Sequence, residues 1–367
     1  GPTYNRDQDA ALEAAEKAGL SYPYTILIDM NFHAKSPDKP LKLDEEEINR
    51  RITAQVMKVV NRKSICWWYL RPEELRFWHE NEMEYLQAAT EAVREADPMK
   101  RPIWMYEPNH RNVTSLVKTG AYQDIIGKGC YTNLTGHQNQ RVWVRWSMEQ
   151  QTQAIAILED KDGRKRIPLV MPELCCDPED PALDHLIPRW VRHDVYLGLM
   201  SGGKGVAIWS LYPRNEVKRT WQIWYDAYAH VATELTGPRR LGQVFLFGNE
   251  TTKLTISILD GPKEVALDRG PKNKLEAGTT NEDERKTRTT VYPSLSVREL
   301  EYRGALYLFL CNSSGTAAVR FQSNPLPKEA RITEIFASRN NPHAGGTLHG
   351  WIGPLEVQCY KIVGSMQ

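Results

Sequence analysis

Ser64-Ile65-Cys66-Trp67-Trp68-Tyr69-Leu70, then Glu80 to Ala96, then Pro102-Ile103-Trp104-Met105-Tyr106, is the stretch on which the fold turns. Its first and last runs are short, apolar and aromatic, as strands buried on both faces require. The middle segment has helical period and stops at Asp97-Pro98, because a proline disfavours helical backbone in the residue before it. Strand, helix, strand is the unit from which a parallel, helix-covered sheet is built.

The same alternation extends in both directions. Upstream, Asp7 to Ala18 reads as helix, Tyr24 to Met30 as strand, and Asp44 to Asn61 as helix with Asp44 at its N-cap. Downstream, Ile125 to Tyr131, Ile167 to Met171 and Gly205 to Tyr212 read as strands. Ser147 to Leu158, Leu186 to Met200 and Thr220 to Thr236 read as helices. A closed barrel of this kind has eight strands, and the alternation supplies six. The opening Gly1 to Asn5 resembles the end of a strand, so the first two strands are expected to lie outside this chain; an open sheet is the alternative. Gly1-Pro2 without a Met is a form that a protease scar takes, so the natural N-terminus is expected to lie upstream.

After Gly237-Pro238 the helical period disappears. Leu241 to Phe247, Lys253 to Leu259, Leu295 to Tyr302, Leu306 to Cys311, Ala317 to Phe321, Arg331 to Phe336 and Val357 to Val363 are short strand candidates between turn signals. They predict an antiparallel β-sandwich over 237–367, behind a barrel over 1–236. Lys263 to Thr290 is charge-rich and reads as a long exposed loop.

Composition limits the function classes. A net charge of +1 offers no electrostatic footprint for nucleic acid or an anionic membrane. No apolar run approaches the roughly 18 residues of a membrane span. The six cysteines include no Cys-x-x-Cys and no Cys/His cluster of zinc-finger spacing, so no structural metal is expected, and the adjacent Cys175-Cys176 reads as two ordinary loop thiols. Eleven Trp and 16 Tyr stand against only 7 Phe. Flat apolar faces with a polar edge suit sugar rings, and they equally suit an aromatic core.

In a barrel, the residues at the C-terminal ends of the strands converge on one face. Here those positions hold Glu73 and Glu74 after Leu70, and Glu173 after Met171-Pro172. Asp29, Asn31 and His33 lie around Met30, and Glu107, Asn109 and His110 follow Tyr106. Tyr131 and Trp209 belong to later strands. Two carboxyl groups across a cleft are what glycoside hydrolysis needs, one to protonate the leaving oxygen and one to attack the anomeric carbon or activate water. Any one of these carboxylates could instead cap a helix or close a loop ion pair. His110-Arg111 reads first as a solvated loop, and otherwise as a place for an anionic sugar group.

This layout resembles the clan A glycoside hydrolases, retaining enzymes on a (β/α)8 barrel. In that clan the acid/base Glu ends the fourth strand and the nucleophile Glu ends the seventh. With Gly205 to Tyr212 as the eighth strand, Glu173 follows the seventh and Glu73 the fourth. Leu197 to Trp209 resembles the helix, Gly-rich turn and Trp-bearing last strand of these barrels, and Tyr307 to Asn312 resembles a strand of their C-terminal domain. Related barrels read Trp-Tyr-Leu-x-Asp-Glu-Pro at the fourth strand, and laid on Trp68 to Glu74 that pattern puts its Glu at Glu73. Glu74 is the alternative, on the other face if the strand continues. Pro72 stands where the clan carries Asn.

The resemblance implies a retaining O-glycosidase of a poly- or oligosaccharide that needs no cofactor. Glu73 would be the acid/base and Glu173 the nucleophile, with Asp29, Asn31, His33, Glu107, His110, Tyr131 and Trp209 binding substrate. A polysaccharide substrate points to a periplasmic or secreted protein. The rival readings are a non-catalytic carbohydrate binder on a degenerate barrel, and a metal-dependent hydrolase. The latter finds no His-x-His or His-Glu-x-x-His here.

Overall fold

The computed structural model of the protein describes residues 7–27, 44–71, 75–211, 215–269, 281–337, 339–340 and 346–364. Strands β1 (Tyr22–Ile26), β2 (Ile65–Leu70), β3 (Ile103–Glu107), β4 (Ile125–Lys128), β5 (Ile167–Val170) and the two-residue β6 (Gly205–Val206) follow one another in chain order in one parallel sheet. Helices α1 (Gln8–Lys17), α2 (Glu45–Val59), α3 (Glu80–Ala96), α4 (Val113–Gly120), α5 (Trp143–Asp162), α6 (Ile187–Met200) and α7 (Trp221–Thr236) alternate with them. Among the described residues before Gly237, all recorded strand pairings are parallel. This is a partial TIM barrel, and a C-terminal β domain follows it.

By internal contacts the chain forms two compact units. The first comprises Gly1–Cys130, Glu149–Met171 and Gly270–Lys286; the second comprises Tyr131–Met148, Pro172–Arg269 and Thr287–Gln367.

In the first unit, Ile48, Ile52, Val56 and Val59 form the buried stripe of α2, spaced by four, four and three residues. They join Tyr85, Leu86, Trp68, Leu70, Ile103 and Met105 in one core. The Asp44 carboxylate accepts from the Glu47 amide at 3.2 Å, so the cap stands where the sequence placed it. Asp97 ends α3 and does more than stop it. It accepts from the Trp68 indole N–H at 2.8 Å and from the amides of Met99 and Arg101 at 3.0 and 2.9 Å. A fully buried indole needs such a partner, and this one fixes the turn that leads into β3.

Gly127 sits on β4 between β3 and β5. A Cβ there would stand 3.0 Å from the Trp104 Nε1 and 3.1 Å from the Leu169 Cβ. The bare face of β4 is what lets those two side chains close over it. Gly127→Ala is therefore expected to cost about 1–3 kcal/mol, read as a lower urea midpoint with an unchanged slope.

Glu16 near the end of α1 accepts from Arg62 Nε at 2.8 Å and from the Ser64 hydroxyl at 2.5 Å. The Arg62 bond, then that of Ser64, lowers its carboxyl from about 4.5 to about 2. Its stabilising contribution is therefore complete above the ordinary carboxylate range and is lost as pH falls toward 2. Glu16→Gln is expected to flatten that part of the acid limb in a plot of melting temperature against pH; an unchanged limb would show that the pair contributes nothing.

In the second unit, α8 (Leu241–Phe247) replaces the strand expected over those residues. Leu241, Val244 and Phe245 are its buried positions, a spacing of three and four that fits a helix and not a strand. Beyond it run β7 (Asn249–Glu250), β8 (Ile256–Asp260), β9 (Glu264–Arg269), the short helix α9 (Glu282–Arg285), β10 (Arg288–Pro293), β11 (Leu295–Tyr302), β12 (Ala305–Asn312), β13 (Val319–Pro325), β14 (Arg331–Glu334), β15 (Arg339–Asn340), β16 (Thr347–Ile352) and β17 (Val357–Val363). A sheet in the order β15-β14-β17-β12-β11-β7 and another in the order β16-β13-β8 share a core. Leu306, Leu308 and Leu310 of β12 enter that core with Phe321, Leu348 and Tyr360. Phe309, on the opposite face of β12, packs against Phe245 and Tyr196.

Other expectations also change. The span Lys263–Thr290 is not one loop: β9 and β10 pair antiparallel from Glu264↔Pro293 to Arg269↔Arg288. Asn281 and Glu284 close a capping box on α9, which lies in the first unit. The strand expected over Gly205–Tyr212 is regular only at Gly205–Val206, and Tyr212 lies outside the described residues. Among the described residues, no helix is long and apolar enough to cross a membrane.

Candidate active site

Glu173 follows β5 by three residues. Two backbone bonds hold it in a parallel bridge with Trp209: the Trp209 amide donates to the Pro172 carbonyl at 3.0 Å, and the Leu174 amide to the Trp209 carbonyl at 2.7 Å. From behind, the Tyr228 hydroxyl of α7 donates to the Glu173 carbonyl at 2.6 Å.

The side chain of Glu173 is only 2% exposed, and its carboxyl oxygens are met by a cradle of donors. Oε1 accepts from the Thr132 amide at 3.1 Å, the Thr132 hydroxyl at 3.0 Å and the Asn133 amide. Oε2 accepts from the Leu134 amide at 3.0 Å and from the Cys175 thiol at 3.6 Å. Burial pushes the Glu173 carboxyl above its ordinary range; the Arg141 charge and the amides of Leu134 and Asn133 pull the other way.

The cradle is itself braced. Arg141 donates through Nη1 to the Asn133 side-chain oxygen at 2.8 Å, and through Nε to Asp194 at 3.0 Å, with Nη2 on the second Asp194 oxygen. Its guanidinium also lies 4.8 Å from the centre of the Trp190 ring. Arg141 and Asp194 are both buried. Beside Glu173, the Tyr131 ring stacks on Trp209 with centroids 5.1 Å apart and planes at 25°, and Trp209 is half-buried. An ionisable carboxylate next to a stacked aromatic pair provides a nucleophile or an electrostatic partner for a positive centre, together with an apolar face for a ring.

Glu107 and His110 belong to a different cluster, within the first unit. Glu107 ends β3 fully buried, accepts from Gln123 Nε2 at 2.8 Å and lies 3.8 Å from Arg111 Nε. Burial raises its carboxyl, opposed by Arg111. Arg111 Nη1 in turn reaches Glu284 at 3.3 Å, and His110 Nε2 lies 3.7 Å from the same carboxylate. The carboxylate held by the His110-Arg111 pair is thus the chain's own Glu284, and the pair is buried and not solvated. Asp29, Asn31, His33, Glu73 and Glu74 lie outside the described residues.

Of the residues singled out in the sequence, the structure therefore brings together Glu173, Tyr131 and Trp209. It adds Thr132, Asn133, Leu134, Arg141, Asp194 and Tyr228, which the sequence reading did not assign to the site. Among the described residues, the group with ligand atoms close enough to share a metal ion is Glu173, Cys175 and Cys176, whose donor atoms lie within 4.8 Å of one another.

The fold, a partial TIM barrel followed by a β domain, has counterparts among solved structures. The chain matches no protein-family profile and no curated protein. Among solved structures it is similar to AmyP in complex with maltose, with a TM-score of 0.53 and 8% identity over 98% of this chain and 78% of that one. It is similar also to a protein described as a glycoside hydrolase, with a TM-score of 0.52 and 10% identity over 98% of this chain and 77% of that one.

Proposed function

We propose that the protein is a retaining glycoside hydrolase acting on O-glycosidic bonds of an oligo- or polysaccharide. Residues 1–236 would be the catalytic part and 237–367 an accessory part. The observation that carries this reading is the Glu173 carboxylate at a barrel strand end, cradled by the amides of Thr132, Asn133 and Leu134 and flanked by the Tyr131–Trp209 stack.

Glu173 is the nucleophile. It attacks the anomeric carbon, forming a glycosyl ester while the C–O bond to the leaving group breaks. Glu73, or Glu74 in its place, is the acid that protonates the departing oxygen and then the base that takes a proton from the water that cleaves the ester. Burial raises this carboxyl, and the Arg141 charge with the amides of Leu134 and Asn133 opposes that rise, toward the ionised form that attack requires. Trp209 offers a ring face to the sugar. Asp29, Asn31 and His33 would bind its hydroxyls, with Glu107 and His110 as further binding residues if their cluster opens to substrate.

The test is a panel of aryl α- and β-glycosides, with maltosides included because AmyP was crystallised with maltose, followed by proton NMR of the first anomer released. Retention supports the reading; inversion overturns it, as a retaining pair lies about 5–5.5 Å apart and an inverting pair about 6.5–9.5 Å. Glu73→Ala is expected to slow turnover of poor leaving groups by about 10²–10⁴-fold and to spare activated ones, because a good leaving group needs little protonation. Azide should restore part of the lost rate by attacking the glycosyl ester. If only Glu74→Ala behaves this way, the acid is Glu74.

One observation favours a second reading, a non-catalytic carbohydrate binder: both oxygens of Glu173 already hold backbone donors, and the side chain is buried. That reading expects quenching of Trp fluorescence by an oligosaccharide and no hydrolysis of any member of the panel.

A further inference from the structure

The loop after β5 reads Pro172-Glu173-Leu174-Cys175-Cys176, and the two thiols play no part in the reaction just described. Cys175 is buried and donates to Glu173 Oε2 at 3.6 Å; its sulfur lies 3.9 Å from that of Cys176, which is half-exposed. We propose that Glu173 Oε2, Cys175 Sγ and Cys176 Sγ form a binding site for one thiophilic divalent cation of the zinc class.

The spacing of the donors supports this. A tetrahedral zinc, at about 2.3 Å from sulfur and about 2.0 Å from oxygen, holds two sulfurs about 3.8 Å apart and a sulfur and an oxygen about 3.5 Å apart. The loop presents these two edges at 3.9 and 3.6 Å without a metal. All three donor atoms lie within 4.8 Å of one another, so the closing movement falls to Cys176, the member with room to move. The outer partners that orient a metal-bound carboxylate are also in place: Leu134 N–H on Oε2, and Thr132 and Asn133 on Oε1. Oε2 gives one lone pair to Leu134 and the other to the Cys175 thiol proton, and it is that proton the cation replaces. Each thiol releases one proton to solvent as its sulfur–metal bond forms, and the half-exposed side of Cys176 leaves the fourth position to water.

The site stands on its own geometry. Its effect on turnover rests on the nucleophile assigned above, because a cation on Oε2 would take the carboxylate away from the sugar. The experiment uses the full chain, reduced with a non-chelating phosphine and titrated with Co²⁺ and with Zn²⁺. The expected result is one equivalent bound, with a thiolate-to-cobalt charge-transfer band. Cys176→Ser should cut the band per bound cobalt to about half or less, because one of two thiolates is gone, and weaken zinc binding by about tenfold or more. Cys175→Ser should do the same, and if that buried variant fails to fold, Cys176→Ser decides alone. Absence of the band in the natural protein, or a band of undiminished intensity in Cys176→Ser, overturns the site. Zinc that binds here yet leaves glycoside hydrolysis unchanged would uphold the site and overturn Glu173 as nucleophile.

Discussion

Glu173→Gln is expected to reduce glycoside turnover by on the order of 10⁴-fold or more, because a neutral amide cannot form the glycosyl ester. The same change disturbs the cradle. Donors converge on both ends of the carboxylate, from Thr132 and Asn133 on one oxygen and Leu134 on the other. Whichever end receives the NH2 of glutamine sets donor against donor, at about 1–3 kcal/mol. Steady-state kinetics on the aryl glycosides measure the first effect and urea denaturation the second. A variant that keeps more than a tenth of its activity would show that Glu173 positions the loop and takes no part in bond breaking.

Arg141→Met is expected to cost about 3–5 kcal/mol of stability, because it breaks a buried ion pair by removing one partner only. Arg141 is the main counter-charge of buried Asp194, which also contacts His193 Nδ1 at 2.9 Å; burial lowers the His193 pKa, so a proton there is a poor substitute. Removing the guanidinium leaves a buried carboxylate beside His193 without its charged partner. Because breaking a buried pair costs more than removing both members, Arg141→Met with Asp194→Leu should recover much of the loss. Activity should not recover with it: Arg141 also holds Asn133, whose amide positions Glu173, so the double variant stays impaired in kcat while its urea midpoint rises. Recovery of both together would assign Arg141 a purely structural role.

The parallel part of the fold was legible because its strands and helices carry their periods in adjacent residues. Helix α3 runs from Glu80 to Ala96 as read, and Asp44 caps α2 as read. The carboxylate at the end of β5 was legible for a topological reason, since every barrel aims its strand ends at one face. The cradle was not. It is made of main-chain N–H groups at Thr132 to Leu134, which every non-proline residue owns and no residue type announces. Nor was the Arg141–Asp194 pair, whose members stand 53 residues apart with no spacing to connect them. The pairing of β9 with β10 was hidden by charge: the ribbon buries Leu267 and Tyr292 against Trp143 and Trp146, but it also carries Glu264, Asp268, Arg269 and Arg288, which read as loop. Helix α8 was misread because Val244 and Phe245 have strand propensity, and the three-and-four spacing of its buried residues was the signal that outweighed it.

The central claim, that Glu173 becomes covalently glycosylated, is tested most directly by trapping. A 2-deoxy-2-fluoro aryl glycoside of whichever sugar the panel shows to be cleaved slows breakdown of the glycosyl ester, and peptide mapping by mass spectrometry locates the label. The account predicts one fluoroglycosyl group per chain, on the peptide that carries Glu173 and absent from Glu173→Gln. A label on Glu73, Glu74 or Glu107, or a hydrolysing protein that takes no label and releases the inverted anomer, would contradict it.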